Sequence, residues 1–160
     1  MPIVTLEDCD DILNSGRPLA GLDLGTKTIG IAVSDRSFAF ANPRPVLKRK
    51  KFTEDAVRLK AMLDAEDVSA IVLGLPLNMD GSAGPRAQAT RAFARSYGAI
   101  DERPIVLWDE RLSTVAAERN LLEVDMSRRK RAERIDSAAA AVILQGALDR
   151  IEAIRARAQD

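Results

Sequence analysis

Three acidic positions carry the chemistry this composition leaves open: Asp23, closing the apolar stretch LAGLD; Asp109 or Glu110, directly after IVLW; and Asp136, before SAAAAVILQ. Carboxylates brought to one point repel, and they stay ionised only with cations between them. Hard oxygen donors without His or Cys select Mg²⁺ or Mn²⁺. Two such ions about 3.5–4 Å apart clamp the attacking and leaving oxygens of an in-line phosphoryl displacement, without a histidine base. Each position also has a plainer use. Asp136 before Ser137 can cap a helix, and Glu110 can pair with Arg111. Asp109 competes with Glu110 because neighbouring strand residues face opposite ways.

The composition removes most other chemistries. The 160 residues include no histidine, which excludes imidazole bases, Ser-His-Asp triads and imidazole zinc sites. The single cysteine, Cys9, sits among Glu7, Asp8, Asp10 and Asp11, which raise a thiol pKa and disfavour a nucleophile. Lys plus Arg and Asp plus Glu balance at 24 each, so a polyanion must be held by local patches. No long apolar run and no basic-then-apolar N-terminal segment is present, and the expectation is a cytoplasmic protein without membrane contact. A P-loop is excluded because Thr26 stands where its second glycine is needed. An actin-like ATPase also opens with a strand, an Asp and a Gly-Thr turn, but needs two domains where this length allows one.

The carboxylates need elements to carry them. Leu19, Ala20 and Leu22 read as a strand, and Ile29, Ile31 and Val33 as a second, half-buried one. Gly25 in the turn between them lets a hydrated ion or a phosphate approach Asp23. Phe38 and Phe40 suggest a third strand, stopped by Pro43 and Pro45. Thr53 can cap a helix that buries Ala56, Leu59 and Leu63. Ala70 to Leu75 reads as a strand buried on both faces. Pro85 opens a helix toward Tyr97 with Ala89, Ala92 and Phe93 inward, and Ile105 to Trp108 is another buried strand. Ser113 caps a helix through Leu121 and Leu122. SRRKRAER, residues 127–134, is too charged and unpatterned to pack and is expected to be mobile. A last helix begins near Asp136 and buries Val142, Ile143, Ala147, Ile151 and Ile154. Residues 1–18 read as an N-terminal extension, with Thr5 and Asp8 capping a short acidic helix through Leu13, and residues 19–160 as one domain. In such an α/β sheet, ligands sit beyond the carboxyl ends of the strands.

Four segments in order, GLDLGTKTIGIAVSD, VLGLPLNMDGS, WDERLST and IDSAAAAVILQ, closely resemble the YqgF family, also called RuvX. That family is described as pre-16S rRNA nucleases or Holliday-junction-resolvase-like proteins, and the resemblance covers roughly residues 19–150. It implies a ribonuclease H-like α/β fold, a five-stranded mixed sheet in spatial order 3-2-1-4-5 flanked by helices. It also implies a two-metal-ion nuclease that hydrolyses phosphodiesters with Mg²⁺ or Mn²⁺ held by Asp23, Glu110 and Asp136, the family pattern choosing Glu110 over Asp109. One departure concerns substrate. Related RuvC-type resolvases place a second acidic residue about one turn along the final helix, where this chain has Ala139. The preferred substrate is therefore precursor ribosomal RNA, cut in 5′-end maturation. Holliday-junction DNA is the alternative and non-catalytic nucleic-acid binding the third reading. Lys48, Arg49, Lys50 and Lys51 form one basic run. Arg128, Arg129, Lys130 and Arg131, with Arg134, form another that could grip a backbone beside the metal site, and Lys27 and Arg111 are further candidate contacts.

Overall fold

The computed structural model describes the backbone of residues 3–112 and 128–158, and the side chains of residues 3–112 and 137–157. Six strands are present: β1 (Ile3–Val4), β2 (Leu19–Leu24), β3 (Thr28–Ser34), β4 (Ala41–Lys48), β5 (Ala70–Leu75) and β6 (Ile105–Asp109). The helices are α1 (Asp10–Leu13), α2 (Phe52–Ala65), α3 (Pro85–Gly98) and α4 (Arg128–Ala158). All strands form one sheet in the order β1-β6-β5-β2-β3-β4. β2, β3 and β4 run antiparallel as a meander, while β5 and β6 run parallel to β2.

The expected order 3-2-1-4-5 is retained as β4-β3-β2-β5-β6. The sheet has six strands rather than five because Ile3 and Val4 pair in parallel with Ile105 and Val106. Two residues are too few to show a strand period. The stretch read as an extension also shares the core, with Leu6, Cys9 and Leu13 buried in one cluster with Trp108 and α4.

The apolar residues divide by strand alternation. Leu19, Val72, Val106 and Trp108 pack under Ala140, Ile143 and Leu144 of α4. Leu22, Ile31, Ile71 and Leu73 pack on the other face with Leu59 and Leu63 of α2 and Phe93 and Tyr97 of α3. Every residue of β2 and β5 is buried, as central strands covered on both faces require.

Four expectations are corrected. The third strand is Ala41–Lys48 and contains Pro43 and Pro45 rather than ending at them. β4 is the outer strand, where a missing N–H is tolerated. Phe38 instead lies in the preceding turn at φ 61°, buried beneath the Arg155 guanidinium. α2 starts at Phe52 with Lys51 as its N-cap, not Thr53, and Asp55 closes that start by accepting the Lys50 N–H on both oxygens at 2.9 and 3.1 Å. Phe93 faces inward as expected, but Ala89 and Ala92 are exposed, because Ala87, Thr90, Ala94 and Tyr97 set the buried phase of α3. Finally, α4 begins at Arg128 and not near Asp136, so most of the charged run is helical. Arg, Lys, Ala and Glu are strong helix formers and continue a helix without needing a buried face. The helix expected from Ser113 to Leu122 lies outside the described residues.

Candidate carboxylate site

Two glycines set the geometry. A Cβ at Gly21 would stand 2.6 Å from Leu144 Cβ and 2.8 Å from the Ala140 carbonyl oxygen, so α4 rests directly on the β2 backbone there. Two residues on, Asp23 faces the same side by strand alternation and is only 5 % exposed. β5 repeats the arrangement. A Cβ at Gly74 would stand 2.5 Å from Ile143 Cδ1 and 2.8 Å from Glu110 Oε1. Leu22 and Leu73 are paired across β2 and β5, which puts positions 23 and 74 at one level of the sheet. The Glu110 carboxylate, delivered by the turn after β6, therefore lies over β5 on the face and at the level of Asp23.

The backbone of α4 brings the third position to that level. Gln145 bonds the Ala39 carbonyl and the Ala41 N–H, and the Ser137 hydroxyl donates to the Arg44 carbonyl, so α4 runs antiparallel to β4. Its earlier residues consequently approach the carboxyl ends of β2 and β5. Position 136 is one turn, about 5.4 Å, before Ala140. Asp23 is about 6.6 Å beyond Gly21 in the same direction. The Asp136 side chain lies outside the described set. Among the described residues no three His, Cys, Asp or Glu side chains gather as a metal site.

Asp109 is used differently. Arg111 holds its carboxylate at 2.7 Å, and that hydrogen bond keeps the Asp109 pKa below the usual range. Arg111 also donates to the Met79 carbonyl at 3.3 Å, and its Nη1 lies 3.3 Å from where a Cβ at Gly81 would be. It thereby clamps the loop of residues 78–84 to the end of β6. The alternative pairing of Arg111 with Glu110 is replaced by this ion pair with Asp109.

Lys27 is exposed in the β2–β3 turn. That turn is closed by the Gly25 N–H on the Thr28 carbonyl at 2.9 Å, and a Cβ at Gly25 would be 2.9 Å from the same oxygen. Gly25 thus serves turn closure. Arg49 pins the turn from β4: its N–H donates to the Lys27 carbonyl at 2.8 Å and its guanidinium to the Gly25 carbonyl at 2.6 Å. Sequence reasoning missed this strut, because only the antiparallel register joins residues so far apart. Cys9 is buried and donates to the Thr5 carbonyl. Burial first, then Asp8, Glu7 and Asp10, raises its pKa, so the thiol stays protonated.

A meander followed by parallel strands, with a helix crossing one face above carboxylates at the strand ends, defines the class of ribonuclease H-like proteins. The T. thermophilus RuvC in complex with a Holliday junction substrate superposes with a TM-score of 0.52, covering 85 % of this chain and 96 % of that one at 13 % identity, a likeness of fold. The chain belongs to the RuvX family, whose model, described as Holliday junction resolvase, matches residues 17–150. It is 61 % identical over 160 residues to a Brucella anthropi protein, covering 100 % of this chain and 97 % of that one. It is 64 % identical over 154 residues to one from Agrobacterium fabrum, covering 96 % and 97 %. Both relatives carry the name "Putative pre-16S rRNA nuclease".

Proposed function

We propose that this protein is a divalent-metal-dependent endonuclease that hydrolyses phosphodiester bonds in precursor small-subunit ribosomal RNA, acting in 5′-end maturation in the cytoplasm. The observation that carries the reading is the common face and level of Asp23, the Glu110 carboxylate and backbone position 136. The names of the relatives support the choice of RNA.

The donor set suits Mg²⁺ or Mn²⁺, being carboxylate oxygens in a chain without histidine. Gly74 adds to that fit, since a side chain there would displace Glu110 Oε1. Asp23, Glu110 and Asp136 would hold the metal, which when bound supplies Lewis-acid activation of water and of the phosphate. Asp23 anchors from the rigid central strand. Glu110 and Asp136 complete the set from the β6 turn and from α4. Arg128, Arg129, Lys130 and Arg131 grip the nucleic-acid backbone, with Lys27 at the β2–β3 turn. Arg111 joins them through the loop it clamps.

The family description favours a second reading, junction resolution. Against it, Ala139 is 2 % exposed within the core, so an acidic residue there would be buried among apolar side chains. Cleavage of precursor ribosomal RNA by purified protein with Mg²⁺ or Mn²⁺, beside Asp23→Asn and a four-way DNA junction, tests the proposal. RNA cutting that needs metal and is lost in the variant is expected. Junction cutting instead moves the substrate to DNA, and no cutting of either leaves a nucleic-acid-binding protein.

A further inference from the structure

The carboxyl edge of the sheet carries more than the acidic site. β4 runs in the same direction as β2, β5 and β6, since it is antiparallel to β3 and β3 to β2, so its end lies at theirs. Lys48, Lys50 and Lys51 are all exposed there, as is Lys27, whose carbonyl takes the Arg49 N–H. Leu47 is buried on the α2 face, so Lys48 turns to the α4 face, the side of Asp23. Arg49 bonds the end of β4 to the turn after Asp23, which gives this edge a fixed position beside the site.

Arg17, Arg36, Arg44, Arg58, Lys60, Arg103, Arg111 and Arg150 each form an ion pair with a carboxylate. Among the described residues, Lys27, Lys48, Lys50 and Lys51 form none, and neither do Arg86, Arg91 and Arg95 of α3; what sets the four lysines apart is their place at the carboxyl end beside Asp23. Asp55, the buried acid at the start of α2, is engaged by Arg58 and by the Lys50 N–H.

The helix places the other basic run alongside. Ser137 meets Arg44. From Arg44 to Lys48 the strand advances about 13 Å. Nine residues back along α4, to position 128, cover about 13.5 Å in the same direction. The backbones of residues 48–51 and 128–131 are therefore carried to the same end of the molecule.

We infer that the carboxyl end of β4 is a second arm of the nucleic-acid-binding surface, where Lys48, Lys50 and Lys51 take the phosphodiester backbone on the side of Asp23 away from Glu110. The inference rests on the nuclease reading and extends it. The backbone of residues 128–131 reaches the same end of the molecule, so the arm lies on the side of the site that the start of α4 approaches.

The test is binding of a fluorescent RNA oligonucleotide by the full chain in chelator, measured by anisotropy across a salt series, for wild type, K48S/K50S/K51S and K48Q/K50Q/K51Q. Lys60→Ser, which loses a cation paired with Asp64, is the control. Three lost single-strand contacts should lower the magnitude of the log–log salt slope by about 2. Affinity at low salt should fall at least tenfold in both triple variants and hold in the control. Wild-type binding that survives both triple substitutions with unchanged slope overturns this inference alone. A wild-type protein that binds no RNA overturns it together with the nuclease reading.

Discussion

The two edges of the sheet treat buried carboxylates in opposite ways. At the amino edge, Asp101 is 3 % exposed and its oxygens take the Tyr97 hydroxyl at 2.7 Å, the Arg103 N–H at 3.0 Å and the Arg103 guanidinium at 2.8 Å. Burial alone would raise the Asp101 pKa, but these hydrogen bonds outweigh it and hold the group below the usual range. Arg103 also bonds Asp64 at 2.6 Å and the Val68 carbonyl, joining the starts of β5 and β6. At the carboxyl edge, Asp23 is as deeply buried but stands on one face and level with a second carboxylate, Glu110, while lysines gather nearby. An acid neutralised by cations of its own chain is part of the frame. Acids placed on one another's side repel, and an added cation stabilises both as anions.

Substitutions at the two edges should therefore separate activity from stability. Glu110→Gln should lower cleavage by at least about 100-fold, the upper end of what losing a partner one step beyond a metal ligand costs. Its thermal midpoint should hold, because like charges are relieved. Asp101→Ala should do the reverse, costing about 3 kcal/mol by leaving the buried Tyr97 hydroxyl unpaired and Arg103 with Asp64 as its one carboxylate, with cleavage per folded molecule preserved. Chemical unfolding and initial rates on the same preparations check both. Parallel loss of stability and activity in each would show that the two edges are not distinct.

The glycines refine the contrast. A methyl at Gly21 meets Leu144 Cβ and the Ala140 carbonyl, atoms that move only if α4 moves. Gly21→Ala should cost about 1–3 kcal/mol as overpacking. At Gly74 the methyl meets Ile143 Cδ1 and Glu110 Oε1, both ends of flexible side chains. Gly74→Ala should therefore leave stability nearly intact and displace the Glu110 carboxylate, lowering cleavage about tenfold. Equal stability losses in both would mean that Glu110 does not yield at position 74.

How much of this was legible follows from which interactions are local. The apolar runs of β2, β5 and β6 announce themselves, and an acid at a strand end marks the carboxyl edge before any coordinates are known. Glu110 over Gly74, Arg49 on Gly25 and Arg103 on Asp101 and Asp64 depend on which strands are neighbours and in which register, and composition does not encode register. β4 was hidden because proline disfavours a strand in general while only a central one excludes it. The start of α4 was hidden because its first residues show no apolar period, although their helix propensity is high. Asp136 was placed by the motif, and the structure adds only the level its backbone reaches.

The smallest expected effect concerns acid stability. Asp35, after β3, accepts the N–H groups of Ala39 and Phe40 at 2.8 Å each and the Ser37 hydroxyl. The Phe40 bond first, then the Ser37 bond, lower its pKa to about 2. An unfolded aspartate titrates near about 3.9. Because the folded pKa is the lower one, the carboxylate stabilises the fold above that value, and this stabilisation is lost as pH falls toward about 2. Asp101, also held low, acts in the same direction. Urea midpoints measured from about pH 5 to about pH 2 should fall in the wild type. Asp35→Asn should start lower and fall less steeply, and Asp101→Asn should do so too. At neutral pH, Asp35→Asn should cleave RNA at the wild-type rate, since the turn it closes belongs to the amino edge. An unchanged acid slope in Asp35→Asn would mean that the turn is held by its backbone alone, and that the ionised acids holding the amino edge do not include this one.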